Sequence, residues 1–188
     1  MGVLKFGPFG GPATALITIH SPARRGLKLK EKKIKEICVN EGLTLSVAES
    51  CTGGLLSDRL TNQPGASNYF IGGIIAYNND IKINVLHVPF DVIYTYGAVS
   101  GKTALAMAKG TRELFDTDLG IGVTGICGPT GGTTAKPVGL IFIGGVYNDK
   151  EVIKEFHFDG NRAEIKKSAS DVAMSAILEL LGEEIPEE

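Results

Sequence analysis

Glu49, Ser50, Cys51 and Thr52 place a carboxylate, two hydroxyls and a thiol in four consecutive positions, and Gly53 and Gly54 follow them. Upstream lies the β-type run LTLSVA, and downstream GGLLSDRLTN has a helical pattern, so the cluster sits where a strand turns into a helix. Backbone N–H groups in the first turn of a helix lack intrahelical partners and favour negative charge. A nucleophile at such a turn can attack a carbonyl while nearby N–H groups hold the oxyanion. Ser50 and Cys51 both qualify. Ser and Thr are also common helix caps, so a capping role for Ser50 or Thr52 stands beside the catalytic one.

A serine nucleophile needs a base. None of the three histidines (His20, His87, His157) falls in a segment expected at the same end of the sheet. The stretch AYNNDIK instead supplies Tyr77 at a strand end and Lys82 within the next helical turn. A lysine acts as a base only when neutral. Its ordinary pKa is about 10.4, so work near pH 7 asks for a drop of roughly three units, or about 4 kcal/mol from its surroundings. The plain alternative for Lys82 is a solvated helix lysine. With no histidine to hand and Tyr77 and Lys82 available, Ser50 is favoured over Cys51.

The elements that must position these groups are legible in the hydrophobic pattern. LKEKKIKEICVNEGL carries Ile34, Ile37 and Cys38 at helical spacing and stops near Gly42. YFIGGIIAY reads as a strand, NDIKINVLHV as a helix, and Ser100 as the N-cap of GKTALAMAKGTRELF. DLGIGVTG is a buried strand running into the loop ICGPTGGTTAKP. VGLIFIGGVY and EVIKEFHF form a hairpin through Asn148-Asp149, and RAEIKKSASDVAMSAILELLG is a final helix with Ile165, Val172, Ile177 and Leu181 on its apolar stripe. This order implies an α/β fold, a three-layer α/β/α sandwich on a mixed, mostly parallel sheet with an antiparallel strand. Ligands bind beyond the carboxyl ends of such strands, where segments 49–54, 77–82 and 124–132 converge.

Two glycine motifs are set aside on context. GIGVTG (Gly120–Gly125) satisfies GxGxxG, but its glycines lie inside the strand, no helix follows, and no acidic residue stands about twenty positions on. GICGPTGGTT lacks the Gly-Lys-Ser/Thr ending of a P-loop. It remains open as either a cradle for a phosphate or carboxamide or a plain surface loop.

The 188 residues fit one domain, and 43% hydrophobic with 21% charged residues is the composition of an ordinary globular protein. A net charge of −2 gives no footprint for nucleic acid or for a membrane surface, and the basic cluster Lys28–Lys35 reads as a solvated helix face. Three widely spaced cysteines without a CxxC pair argue for reduced thiols and a cytoplasmic setting. The scattered histidines argue against a metal site. We expect residues 1–27 to be an extension with one further strand around Ala15–His20, residues 28–182 to form the domain, and residues 183–188 to be an acidic tail. The arginines Arg24 and Arg25 follow the early apolar run, the wrong order for a secretory signal.

Six ordered stretches, AESCTGG, PGASNYF, AYNNDIK, YGAVS, VTGICGPTGGTTAKPVG and FDGNR, together resemble the CinA C-terminal family, the nicotinamide mononucleotide amidases, from about Lys28 to Leu181. Larger family members carry an additional molybdopterin-binding-like domain, so this chain resembles the stand-alone form. The resemblance implies hydrolysis of nicotinamide mononucleotide to nicotinate mononucleotide and ammonia, with no metal or redox cofactor, in a homo-oligomer. It places the catalytic roles on Ser50, Tyr77 and Lys82, with Lys82 taking the Ser50 proton directly or through Tyr77. It puts Thr124 and Arg162 on the substrate, in company with Glu49, Cys51, Thr52, Gly53 and Gly125. Glu49 either holds the turn or orients Lys82. Three positions depart from the family pattern: Asp159 in place of proline, Asn161 in place of aspartate, and Cys127 in place of alanine. A nucleotide-binding regulatory module and a hydrolase of a related nucleotide amide are the alternative readings.

Overall fold

The computed structural model describes residues 29–183. Its elements run α1 (Leu29–Glu41), β1 (Leu45–Glu49), α2 (Leu55–Thr61), β2 (Phe70–Ile75), α3 (Asn79–Asn84), α4 (Phe90–Tyr96), α5 (Gly101–Phe115), β3 (Leu119–Gly125), β4 (Leu140–Tyr147), β5 (Lys150–His157) and α6 (Arg162–Leu180), with one 3-10 turn at Ala66–Asn68. The sheet order is β2-β1-β3-β4-β5. β1 pairs parallel with both β2 and β3, whereas β4 pairs antiparallel with β3 and with β5. β4 is therefore the one strand of this sheet that runs against the rest, as the hairpin at Asn148-Asp149 requires. Asn148 takes the left-handed conformation that closes it (φ 51°).

Helices cover both faces. On one side α1, α2 and α6 enclose a core of Ile34, Cys38, Leu56, Leu60, Ile165, Met174 and Ile177 against Val47, Ile121 and Ile143 of the sheet. On the other, α5 lies across the strands, with Met107 packing near Ala48, Ala76, Leu86 and Val88. β1 is buried at every position, LSVAE. A strand buried on both faces has no alternation to show, as expected at the centre of a parallel sheet.

The glycines of GIGVTG have a packing role. A Cβ on Gly120 would run into the carbonyl of Ala108, one on Gly122 into that of Ala104, and one on Gly144 into the same turn of α5. The bare backbone of two adjacent strands is what lets the helix settle directly on the sheet.

Caps set the helix ends. Ser100 Oγ accepts from Thr103 N at 3.2 Å, so the expected N-cap of α5 is present. At α6, Asn161 Oδ1 accepts from the N–H groups of Ala163 and Glu164, and Glu164 Oε2 accepts in return from Asn161 N at 2.8 Å. This capping box gives Asn161 a local reason to stand where it does. One half-buried cation ties the helices of this face together. Arg59 of α2 donates to Glu31 of α1 at 2.8 Å and to Ser170 and Asp171 of α6 at 2.8 and 2.7 Å.

Two expectations change. The helix expected over NDIKINVLHV ends at Asn84, because His87 turns the chain through a left-handed conformation (φ 52°) and sends Leu86 and Val88 under α5. The chain then forms α4, an unforeseen helix, with Pro89 before it, Asp91 in its first turn and Gly97 (φ 83°) ending it. The basic cluster at the start of α1 is partly spent in ion pairs: Lys30 with Asp171, Lys32 with Glu36 and Lys33 with Glu183. The strand expected at Ala15–His20 and most of the acidic tail lie outside the described residues.

Gly122→Ala forces a methyl group into the α5 backbone. It is expected to lower stability by about 1–3 kcal/mol in chemical denaturation, the usual cost of overpacking. An unchanged denaturation midpoint would show that α5 is not seated on the bare strand.

Candidate active site

A cavity of about 250 Å³ opens beyond the carboxyl ends of β1, β2 and β3. Ser50 and Cys51 reach it from the turn after β1, Tyr77 from the end of β2, Lys82 from α3, Thr124 to Gly128 from β3 and its loop, and Arg162 from the start of α6. The three segments expected to converge do so here.

Lys82 is the least ordinary residue in this cavity. It is only 2% exposed. Its Nζ donates to the carbonyl of Ala76 at 2.7 Å and lies 3.4 Å from Ser50 Oγ. Among the described residues no carboxylate forms an ion pair with it. Burial without a counter-charge disfavours the ammonium form, so the Lys82 pKa is lowered from its ordinary value of 10.5, mainly by desolvation. The solvated-lysine alternative is excluded. Ser50, itself 9% exposed, is held by its N–H, which donates to Val123 O at 2.9 Å.

Glu49 resolves into one of its two expected roles. Its carboxylate accepts from the N–H groups of Gly54, Leu56 and Ser57 at 3.0, 3.1 and 2.8 Å and from Ser57 Oγ at 2.6 Å. It holds the turn by capping α2 from the preceding strand. It neither orients Lys82 nor lines the cavity, which corrects its expected place on the substrate. The capping role considered for Ser50 and Thr52 is thereby taken. Thr52 is fully buried, its Oγ1 has no hydrogen-bond partner among the described residues, and neither it nor Gly53 lines the cavity. The N–H groups at the start of α2, expected to await an oxyanion, are already occupied: those of Gly54, Leu56 and Ser57 by Glu49 and that of Leu55 by Thr52 O. Free of any hydrogen bond among the described residues are the N–H groups of Cys51, Thr52 and Gly53, next to Ser50 in the chain.

Tyr77 and Arg162 meet each other rather than the lysine. Arg162 donates to Tyr77 Oη at 3.0 Å and to the carbonyl of Gly128 at 2.6 Å. A relay from Ser50 through Tyr77 to Lys82 has no hydrogen-bonded path, and Lys82 contacts Ser50 without one. Tyr77 is 64% exposed at the cavity mouth. Thr124 Oγ1 donates to the carbonyl of Ala98 at 2.8 Å, so its lone pairs remain as acceptors towards the cavity that it lines. Gly125 lines the cavity beside it.

Four residues that shape the site were given no role by sequence reasoning. Lys136, from the glycine-rich loop, donates to the carbonyls of Tyr96 and Val99 at 2.7 Å each and so fastens that loop to the segment between α4 and α5. Ala98 and Val99 line the cavity from that segment. Cys127, noted only as a departure, lies against Cys51: its Sγ donates to Cys51 O at 3.7 Å. The neighbouring Cys127 thiol, with burial, holds the Cys51 thiol up; Cys51 in turn brings Cys127 down, and the cations of Arg162 and Lys166 lower it further. Among the described residues no group of three or more His, Cys, Asp or Glu is placed to hold a metal ion. No helix there is long and apolar enough to cross a membrane.

Fold and site together define an α/β sandwich with a buried serine–lysine pair beyond the carboxyl end of β1. The model of the CinA C-terminal domain family matches residues 28–181, and the chain belongs to that family. It is 48% identical over 140 residues to a CinA-like protein of Dictyoglomus turgidum, covering 72% of this chain and 34% of that protein. The competence/damage inducible protein CihA of Agrobacterium tumefaciens has the same fold, with a TM-score of 0.75 and 34% identity over 81% of this chain and 96% of that one. The competence damage-inducible protein A of Klebsiella pneumoniae superposes with a TM-score of 0.78 at 27% identity, covering 81% of this chain and 95% of that one. This chain spans about a third of the length of the curated relatives it matches.

Glu49→Ala removes four hydrogen bonds to a buried carboxylate and uncaps α2. A loss of about 2–4 kcal/mol in denaturant unfolding is expected, with Glu49→Gln losing less because it keeps an acceptor oxygen. Equal stability of Glu49→Ala and wild type would refute the capping role.

Proposed function

We propose that this chain is an amidohydrolase that converts nicotinamide mononucleotide to nicotinate mononucleotide and ammonia through a serine nucleophile. The observation that carries the reading is the uncompensated Lys82 amine 3.4 Å from Ser50 Oγ inside a cavity. A lysine held there with a lowered pKa can exist as the neutral amine that a serine needs as its base.

In this mechanism Lys82 takes the Ser50 proton as Oγ attacks the carboxamide carbon. The free N–H of Cys51, next to Ser50 on the cavity wall, is the donor for the oxyanion. The proton on Lys82 passes to the departing nitrogen, ammonia leaves, and the neutral amine then activates water against the acyl-enzyme. Thr124, whose own proton is committed to Ala98, accepts from the carboxamide NH₂ and so distinguishes an amide from a carboxylate. Arg162 at the mouth carries a cation for the substrate phosphate, and the exposed ring of Tyr77 offers a face for the pyridine.

Ser50→Ala is expected to abolish ammonia release from nicotinamide mononucleotide while leaving the melting temperature nearly unchanged. Near-normal turnover in that variant would shift the nucleophile to Cys51. Stabilisation of the wild type by nicotinamide mononucleotide without any ammonia released would replace the enzyme with a binding module.

The buried amine also has a signature in stability. Because the folded pKa of Lys82 lies below the unfolded value, the native state binds fewer protons between the two, and this group's contribution to stability rises with pH through that window. Below the window the charged amine is a standing cost to the fold. Lys82→Met should therefore be inactive yet melt at the same temperature as wild type or higher at pH 7. In the wild type, kcat/KM should climb with pH through an inflection below the ordinary lysine value. An active Lys82→Met variant, or a profile flat from pH 6 to 9, would exclude the lysine as base.

A further inference from the structure

Two of the three cysteines in the chain line the same cavity, and they come from adjacent parallel strands. Cys51 follows β1 and Cys127 follows β3. Cys127 Sγ donates to Cys51 O at 3.7 Å, so the second thiol lies directly against the turn that carries the first. Both are nearly buried, at 6% and 3% exposed, so the cavity is their approach from solvent. The third cysteine, Cys38, is fully buried in α1 in the core on one face of the sheet.

We propose that Cys51 and Cys127 form a reversible oxidation site, in which a low-molecular-weight disulfide entering the cavity converts the dithiol to an intramolecular disulfide. The Cys127 thiolate attacks one sulfur of the reagent RSSR, forming a mixed disulfide and releasing RS⁻. The Cys51 thiol then loses its proton to RS⁻ and attacks Cys127 Sγ, so that the Cys51–Cys127 bond forms and the second thiol of the reagent leaves. Two protein thiols are oxidised, and one reagent disulfide is reduced to two thiols.

The order of attack follows from the surroundings. The cations of Arg162 and Lys166 favour the Cys127 thiolate, while its neighbour and its burial hold the Cys51 thiol up. Cys38 has no such help: burial, with the acids Glu41 and Asp118 adding to it, pushes its pKa up to about 12. The bond would tie the turn that carries Ser50 to the glycine-rich loop across the cavity. The chemistry rests on the thiol pair alone and does not depend on what else the cavity binds.

The test treats reduced protein with bis(2-hydroxyethyl) disulfide, removes the reagent, unfolds the chain and titrates its thiols. The titration should fall from three thiols to one and return to three after dithiothreitol. A non-reducing peptide map should join the peptide of Cys51 to that of Cys127. Three thiols remaining, a bridge that includes Cys38, or a bridge between two chains would each overturn the proposal. Cys51→Ala gives a second readout: with the resolving thiol gone, the mixed disulfide should accumulate on Cys127, and an unmodified Cys127 in that folded variant counts against it.

Discussion

Removing the carboxylate of Glu49 from water is tolerable only because the start of α2 comes to meet it. Three backbone N–H groups and one hydroxyl converge on its two oxygens. Those N–H groups are ones that an isolated helix leaves without partners, so one interaction settles two debts of the fold. It also fixes the angle at which β1 hands the chain to α2. With both ends of the turn pinned, Ser50 and Cys51 are pressed to the end of the sheet. Arg59 then anchors α2 to α1 and α6, so the turn rests on a whole layer of helices rather than on one loop.

Against this rigid turn sits Lys82, a charge without a counter-charge. Most buried lysines in stable folds are paired, because an unpaired ammonium in a poorly solvated site is costly. Here the amine meets only a carbonyl and a hydroxyl. Stability alone gives no reason to keep such a residue, and sites that carry chemistry are where perturbed groups gather. The combination is asymmetric: the carboxylate is fully partnered, whereas the amine has no counter-charge to hold it in its charged form.

Much of this was legible in the chain and some was not, for physical reasons. Ser50, Tyr77 and Lys82 could be grouped from sequence because Ser50 and Tyr77 follow the ends of strands whose direction the element order implies, and Lys82 lies in the short helix just beyond Tyr77. The caps Ser100 and Asn161 act within three residues, so local chemistry announces them. Glu49 stayed ambiguous because its partners lie five to eight residues on, and the choice between cap and base partner depends on how the turn folds back. The helix α4 escaped notice because it is seven residues long and rich in β-branched and aromatic residues. The glycines of GIGVTG could be denied a nucleotide from context, but their contact with α5 depends on which helix crosses which strand. The partners of Arg162 lie 34 and 85 residues away and carry no local trace.

Arg162 also joins affinity to order. Its guanidinium holds together the end of β2, the loop after β3 and the start of α6, three segments distant in sequence. An anion that draws this cation inward must do so against the Gly128 carbonyl and the Tyr77 hydroxyl, and its apparent affinity is reduced by what those contacts are worth. By the same linkage, whatever loosens the rim in the empty protein favours the anion by an equal amount. If the proposed anion binds there, the mouth of the cavity is a balance in which the protein's own closure and that anion compete for one side chain.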